Sequence, residues 1–250
     1  AYRAARDIEA ILDFAQTREL VEVNVAARLS QPKAKVIRKR KAQHFAAITE
    51  PSEIAGLLRA IDGYDGDAQG ITRTALQLLP LTMVRPGELR LAEWSEFDLE
   101  EALWIIPEHR MKMGRDHVVP LSRQAVERLE WLEERTGRRQ LAFPSIRSPQ
   151  RPLSDNTFNA ALRRLGYTND QMTAHGFRAM ASTRLNEDEW PSDWIERQLS
   201  HVEQSNSRKP YNRAEYLEGR RRMLQAWADY LDALRSAPAS AAASLKSRDE

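Results

Sequence analysis

The chain has 250 residues, 42% of them hydrophobic, enough to bury a core in one large domain or in one domain plus part of a second. The absence of cysteine excludes a disulfide framework and a thiolate metal site, and 38 basic against 36 acidic residues leave a near-balanced charge of +2. No apolar run approaches the ~20 residues of a membrane-spanning helix and no cationic, apolar leader opens the chain, so a soluble cytosolic protein is expected.

Residues 1–30 read as a helix and a short second piece, with Ile8, Ile11, Leu12 and Ala15 at helical spacing. The chain opens inside that helix with neither a start methionine nor a capping residue, so a fragment of a longer protein is expected. Residues 31–44 read as a basic interdomain linker. Lys33, Lys35, Arg38, Lys39, Arg40 and Lys41 put six cations into nine residues, a run suited to solvent or to the phosphates of a nucleic acid. A helix then starts at Pro51, a residue favoured at a first helical position, and carries an apolar stripe of Ile54, Leu57, Leu58 and Ile61. Gly63 to Gly70 is a polar, glycine-rich loop. Gln69 to Val84 is apolar almost all round, which predicts a buried central helix despite Pro80.

The period then changes. Trp94–Leu99, Leu103–Ile106 and His117–Leu121 are short, rich in aromatic and β-branched residues, and punctuated by Pro107, Gly114 and Pro120. They predict a small antiparallel three-stranded sheet whose last two strands turn around Lys112 to Asp116. Helices resume at Ser122, a good N-cap, and end near Gly137; another runs from Ser154 or Asp155 to Gly166. Leu217, Leu224, Trp227, Leu231 and Leu234 make the stripe of a long final helix. Residues 236–250, rich in Ala, Ser and charge, read as a disordered tail. The fold class is mainly α with one small sheet.

The chemistry concentrates between Thr173 and Tyr211. His175 and Arg178 stand three apart, on one face of any helix that holds them, and offer an imidazole and a planar guanidinium to one phosphate. His201 follows the helix-like run Trp194–Leu199, and Tyr211 lies ten residues on in a polar, proline-marked stretch. Two histidines, an arginine and a tyrosine, without cysteine or paired carboxylates, suggest phosphoryl transfer that uses no metal. Upstream, Arg85 sits in Val-Arg-Pro-Gly-Glu-Leu and Lys112 in Arg-Met-Lys-Met-Gly. Each alone also fits a plainer role: a capping arginine, a solvated turn lysine, Glu88 as a first-turn carboxylate against the helix dipole.

Taken in order, Arg-x-Gly-Glu-Leu, a hairpin lysine, His-x-x-Arg, Leu-Ser-His and a tyrosine resemble the catalytic domain of tyrosine recombinases. The stretches HGFRAMASTRLNE, RQLSHVE and YNRAEYLEGRRRMLQAWADYL most resemble integrases of prophages and genomic islands. The resemblance covers residues 45–235 and implies that residues 1–30 end a core-binding domain. It implies catalytic places for Arg85, Lys112, His175, Arg178, His201 and Tyr211, with Tyr211 as nucleophile, Lys112 as general acid and Glu88 in support. No cofactor or metal is implied. The implied partners are double-stranded DNA attachment sites, three further copies on synapsed DNA, and accessory DNA-bending and excisionase proteins, in a bacterial nucleoid. Pro210, directly before Tyr211, departs from the small residue expected there and stiffens the approach to the nucleophile. Tyr216 is a rival nucleophile at the wrong spacing, expected on the packed side of the final helix. Other readings are a type IB topoisomerase, a catalytically silent DNA-binding relative, or a helical module that docks through the 214–235 stripe.

Overall fold

The computed structural model describes residues 2–27, 46–111, 114–200 and 215–238. The chain divides into two compact units, residues 1–44 and 45–250. In the first, α1 (Tyr2–Thr17) is followed by an irregular stretch latched back onto it. Asn24 does the latching: its Nδ2 donates to the Glu9 carbonyl at 3.0 Å and to Asp13 Oδ1 at 2.7 Å. Of the predicted stripe on this helix, Ile8 and Ile11 are exposed, as is Phe14 beside them.

The second unit is built around one helix. α2 (Pro51–Asp62) and α3 (Ile71–Thr82) pack together, and all four stripe residues of α2 are buried. α3 begins later than its apolar run, because Gly70 takes a left-handed conformation (φ 69°) and Asp67 Oδ2 accepts from the Thr72 N–H at 2.5 Å. α4 (Pro86–Arg90) follows after three residues. The sheet comprises β1 (Phe97–Asp98), β2 (Leu103–Ile106) and β3 (His117–Pro120), antiparallel throughout, with Trp104 opposite Val119 and Ile106 opposite His117. The first predicted strand is mostly a 3-10 turn at Trp94–Glu96, because Glu96 closes onto Glu93 and directs its carboxylate back to the Trp104 indole N–H at 2.9 Å.

Ser122 caps α5 (Arg123–Thr136) as predicted, its Oγ accepting from the Ala125 N–H. A second hairpin, β4 (Pro144–Ser145) and β5 (Ser148–Pro152), has no counterpart among the predicted strands. α6 (Thr157–Arg164), α7 (Gly176–Glu187), α8 (Ser192–Gln198) and α9 (Leu217–Ser236) complete the unit. Tyr216 corrects the sequence reading. It precedes α9 with φ 48° instead of lying on the packed face, which Met223, Trp227, Leu231 and Leu234 supply.

The carbonyls that end α3 explain why so many helices meet there. A helix leaves its last carbonyls without intrahelical partners, and in a buried end each must find a donor elsewhere. Pro80 O accepts from the Trp227 indole of α9 at 2.9 Å, and Thr82 O from Gln198 Nε2 of α8 at 2.7 Å. Met83 O accepts from Arg178 Nη1 of α7 at 2.5 Å. Three helices distant in sequence are thereby pinned to one helix end.

Candidate active site

Arg85 lies where α3 has ended and α4 begins, and Pro86 at the first helical position gives that short helix its start. Its backbone N–H donates to Glu88 Oε2 at 2.8 Å and its Nη1 to Glu88 Oε1 at 2.6 Å, so the buried carboxylate orients the guanidinium from below. Arg178 comes from the first turn of α7. Gly176, beside it, is required by the fold: a Cβ there would stand 2.3 Å from the Ala46 carbonyl oxygen. Arg178 is 4% exposed, and burial first, then the charge of Arg85, lowers its pKa to about 10, still charged at neutral pH.

The two guanidiniums converge on one turn. Arg178 Nη2 donates to the Leu199 carbonyl at 2.6 Å, and Arg85 Nη2 to the next carbonyl, Ser200, at 3.2 Å. Two of the residues involved are left-handed without being glycine: Met83 at φ 57° and Ser200 at φ 50°. Such positions cost about 1–3 kcal/mol each and persist where the surroundings hold them. Here Met83 caps α3 through its N–H to Leu79 O while its own carbonyl serves Arg178.

The sheet is tied to the same place. Arg110, in the 3-10 turn after β2, pairs with Glu96 and donates to the Glu88 backbone carbonyl, so the hairpin strand is anchored to α4. On the returning strand, buried His117 meets the Gln198 carbonyl through Nε2 at 3.1 Å. A carbonyl can only accept, so Nε2 carries the proton.

The pattern of the phage integrase family matches residues 48–218. This chain belongs to the phage integrase family. The family found is the one that the motifs resemble. The integrase-family chain is 39% identical over 247 residues to the integrase of Enterobacteria phage P4, covering 93% of this chain and 55% of that protein. It is 41% identical over 235 residues to prophage integrase IntZ of Escherichia coli (strain K12), covering 94% and 56% respectively. The chain therefore spans about half the length of these relatives. In fold it is similar to a lambda integrase tetramer bound to a Holliday junction, with a TM-score of 0.56 at 20% identity over 81% of this chain and 58% of that one.

Of the residues singled out in this integrase-family chain, Arg85, Glu88 and Arg178 are brought together. His175 stands half-buried at the N-cap of α7, one turn before Arg178. Lys112, His201, Tyr211, Pro210 and the six cations from Lys33 to Lys41 lie outside the described residues. Motif reading passed over Arg110, Glu96, His117, Gln198 and Arg220. All five are polar side chains at buried or nearly buried positions, and Gln198 directly precedes the Leu-Ser-His motif, the one local signal available.

His117 yields a measurable acid limb. Burial, then the charges of Arg220 and Arg197, depress its pKa from 6.5 to about 3. The folded imidazole therefore stays neutral where the unfolded one takes a proton. Its contribution is fully present above about pH 6.5 and is lost as pH falls toward 3, at up to ~1.4 kcal/mol per pH unit. His117→Gln keeps an amide donor for the Gln198 carbonyl and removes the titration. Urea unfolding between pH 6 and pH 4 should then show a shallower decline, by about 1 kcal/mol per unit. An unchanged decline assigns the acid sensitivity to other groups.

Proposed function

We propose that this chain carries the catalytic part of a site-specific DNA recombinase, which cleaves and rejoins strands through a 3′-phosphotyrosyl intermediate to integrate or excise a prophage or genomic island. The observation that carries the reading is the convergence of Arg85 and Arg178 on the carbonyls of Leu199 and Ser200, the turn that leads in sequence into His201. In phosphoryl transfer the main demand is charge stabilisation on the non-bridging oxygens, and planar guanidinium forks meet it by charged hydrogen bonds. Tyr211 attacks phosphorus through its hydroxyl oxygen. The new bond is Tyr211 O–P, the bond to the 5′ oxygen breaks, and Lys112 supplies that oxygen with a proton. His175 and His201 bond to phosphate oxygens, and Glu88 holds Arg85. The step balances without water or metal: the phenol proton passes to His175 as the attack proceeds, and the proton given up by Lys112 ends on the departing 5′ hydroxyl.

In the same reading residues 1–30 close a core-binding domain, 31–44 are a linker along DNA, 45–235 are catalytic and 236–250 form a tail. The substrate is a pair of double-stranded attachment sites, synapsed by four copies in the bacterial cytoplasm, with accessory DNA-bending and excisionase proteins acting at the nucleoid. The lambda integrase tetramer on a Holliday junction supports the fourfold assembly by likeness of fold.

The experiment is covalent trapping. A nicked duplex carrying the attachment core loses a short leaving strand on cleavage, so the phosphotyrosyl species accumulates and survives denaturing electrophoresis. Wild-type protein should give that species without added metal. Specific binding in a gel shift with no covalent band would leave a DNA-binding protein and sink the enzymatic reading.

The linker has its own test. Replacing Lys39, Arg40 and Lys41 by Ala should weaken binding about equally on specific and random duplexes, and lower the log–log salt slope by roughly 2–3. A loss confined to the specific site would mean that these cations read bases instead of tracking phosphates.

A further inference from the structure

Arg220 is the second strongly buried arginine of this unit, and its position is an unfavourable one for a cation. It lies in the first turn of α9, at the positive end of the helix dipole, with a side chain that has no exposed surface and with Arg197 nearby. Burying a charge there is seldom a net gain in stability, and apolar replacements of such groups are often neutral or stabilising. The contacts indicate what the arrangement achieves. Nη2 donates to the Val118 carbonyl of β3 at 2.5 Å and to Gln198 Oε1 at 2.7 Å, and Nε reaches the same oxygen at 3.1 Å. Nη1 donates to the Glu215 carbonyl at 3.2 Å. Gln198, also fully buried, passes the link on to Thr82 at the end of α3 and, through its backbone carbonyl, to His117. Arg197 pairs with the Glu215 carboxylate, a second tie between the same two segments.

One guanidinium thus holds three strands of chain at once. Val118 is six residues after Lys112, Gln198 three before His201, and Glu215 four after Tyr211. Leu199 and Ser200, between the Gln198 clasp and His201, are the residues whose carbonyls Arg178 and Arg85 hold. We propose that Arg220 is a positioning residue for the recombination reaction: by tying Val118, Gln198 and Glu215 to one guanidinium it fixes the Leu199–Ser200 turn on which the Arg85 and Arg178 forks converge. This rests on the proposed function above. A planar five-donor fork suits the task, because acceptors on three segments must be held at fixed mutual angles; a lysine ammonium offers one point of attachment.

The test is single-turnover cleavage of the nicked substrate at saturating DNA, where the amplitude counts folded, competent molecules and the rate constant reports how well they are set up. For Arg220→Lys we expect the rate constant to fall about ten- to a hundredfold, as small displacements of reacting groups do, with amplitude and DNA affinity kept. A reduced amplitude at the wild-type rate constant would make Arg220 a stability residue only and overturn the proposal, as would no change at all. If the lysine variant does not fold, Arg220→Met combined with Gln198→Met removes the charge together with its side-chain acceptor. That pair should fold, bind DNA and cleave slowly. Wild-type cleavage by the pair, or loss of folding in both variants, overturns the proposal. Failure of the wild type itself to form the covalent species would instead refute the underlying enzymatic reading.

Discussion

Tyr211→Phe is expected to abolish the covalent protein–DNA species while leaving DNA affinity within about twofold, since one hydroxyl among many backbone contacts contributes little to binding. The change keeps the ring and removes only the oxygen proposed to attack phosphorus. No other group inherits the role by default: a phenol with a pKa near 10 needs neighbouring cations to favour its ionised form during attack. Arg85 and Arg178 are the described cations that meet at the Leu199–Ser200 turn. Tyr216→Phe is the control. Tyr216 sits at the start of α9 in a left-handed conformation, with its carbonyl engaged by the Arg220 N–H at 2.8 Å, and its loss should leave the covalent band intact. A band that survives Tyr211→Phe and vanishes in Tyr216→Phe would move the nucleophile to Tyr216.

Arg178→Ala is expected to lower the cleavage rate by about 10²–10³, the loss seen when one preorganised donor is removed from a developing anion. DNA affinity should fall far less, because in the proposed reaction this guanidinium serves a single phosphate among many. The variant also carries a structural penalty that can be measured separately. Met83 and Leu199 lose their donor, and each buried carbonyl left unpaired costs about 1–3 kcal/mol. Thermal unfolding should therefore drop by several degrees, at roughly 2–4 °C per kcal/mol for a unit of this size. Arg178→Lys retains charge without the fork, and should recover stability only in part and cleavage hardly at all. Equal losses of binding and cleavage would reduce Arg178 to a binding residue.

What could be read directly from the residues was local. The stripe of α2, the N-cap at Ser122 and the β2–β3 hairpin follow from periodicity and turn chemistry, which depend on neighbours a few positions apart. The β4–β5 hairpin escaped, because Ser148–Pro152 reads SPQRP, polar and proline-rich, and is held by pairing with Pro144 and Ser145 instead of by any strand propensity of its own. The first unit shows the converse: a helical apolar pattern in α1 leaves Ile8 and Ile11 exposed among the described residues, since periodicity predicts a face and not its partner.

The site divides along the same line. Sequence by itself determined the family and the identity of the candidate groups, because Arg-x-Gly-Glu-Leu and His-x-x-Arg are short patterns whose order survives in the linear chain. Only the tertiary structure decided that Arg85 and Arg178, 93 residues apart in number, meet at the carbonyls of Leu199 and Ser200. It also decided that Arg220 and Gln198 belong with them. The physical reason is that a buried helix end must have its last carbonyls satisfied. The donors that α3 recruits at Pro80, Thr82 and Met83 come from α9, α8 and α7, across separations that no local pattern encodes.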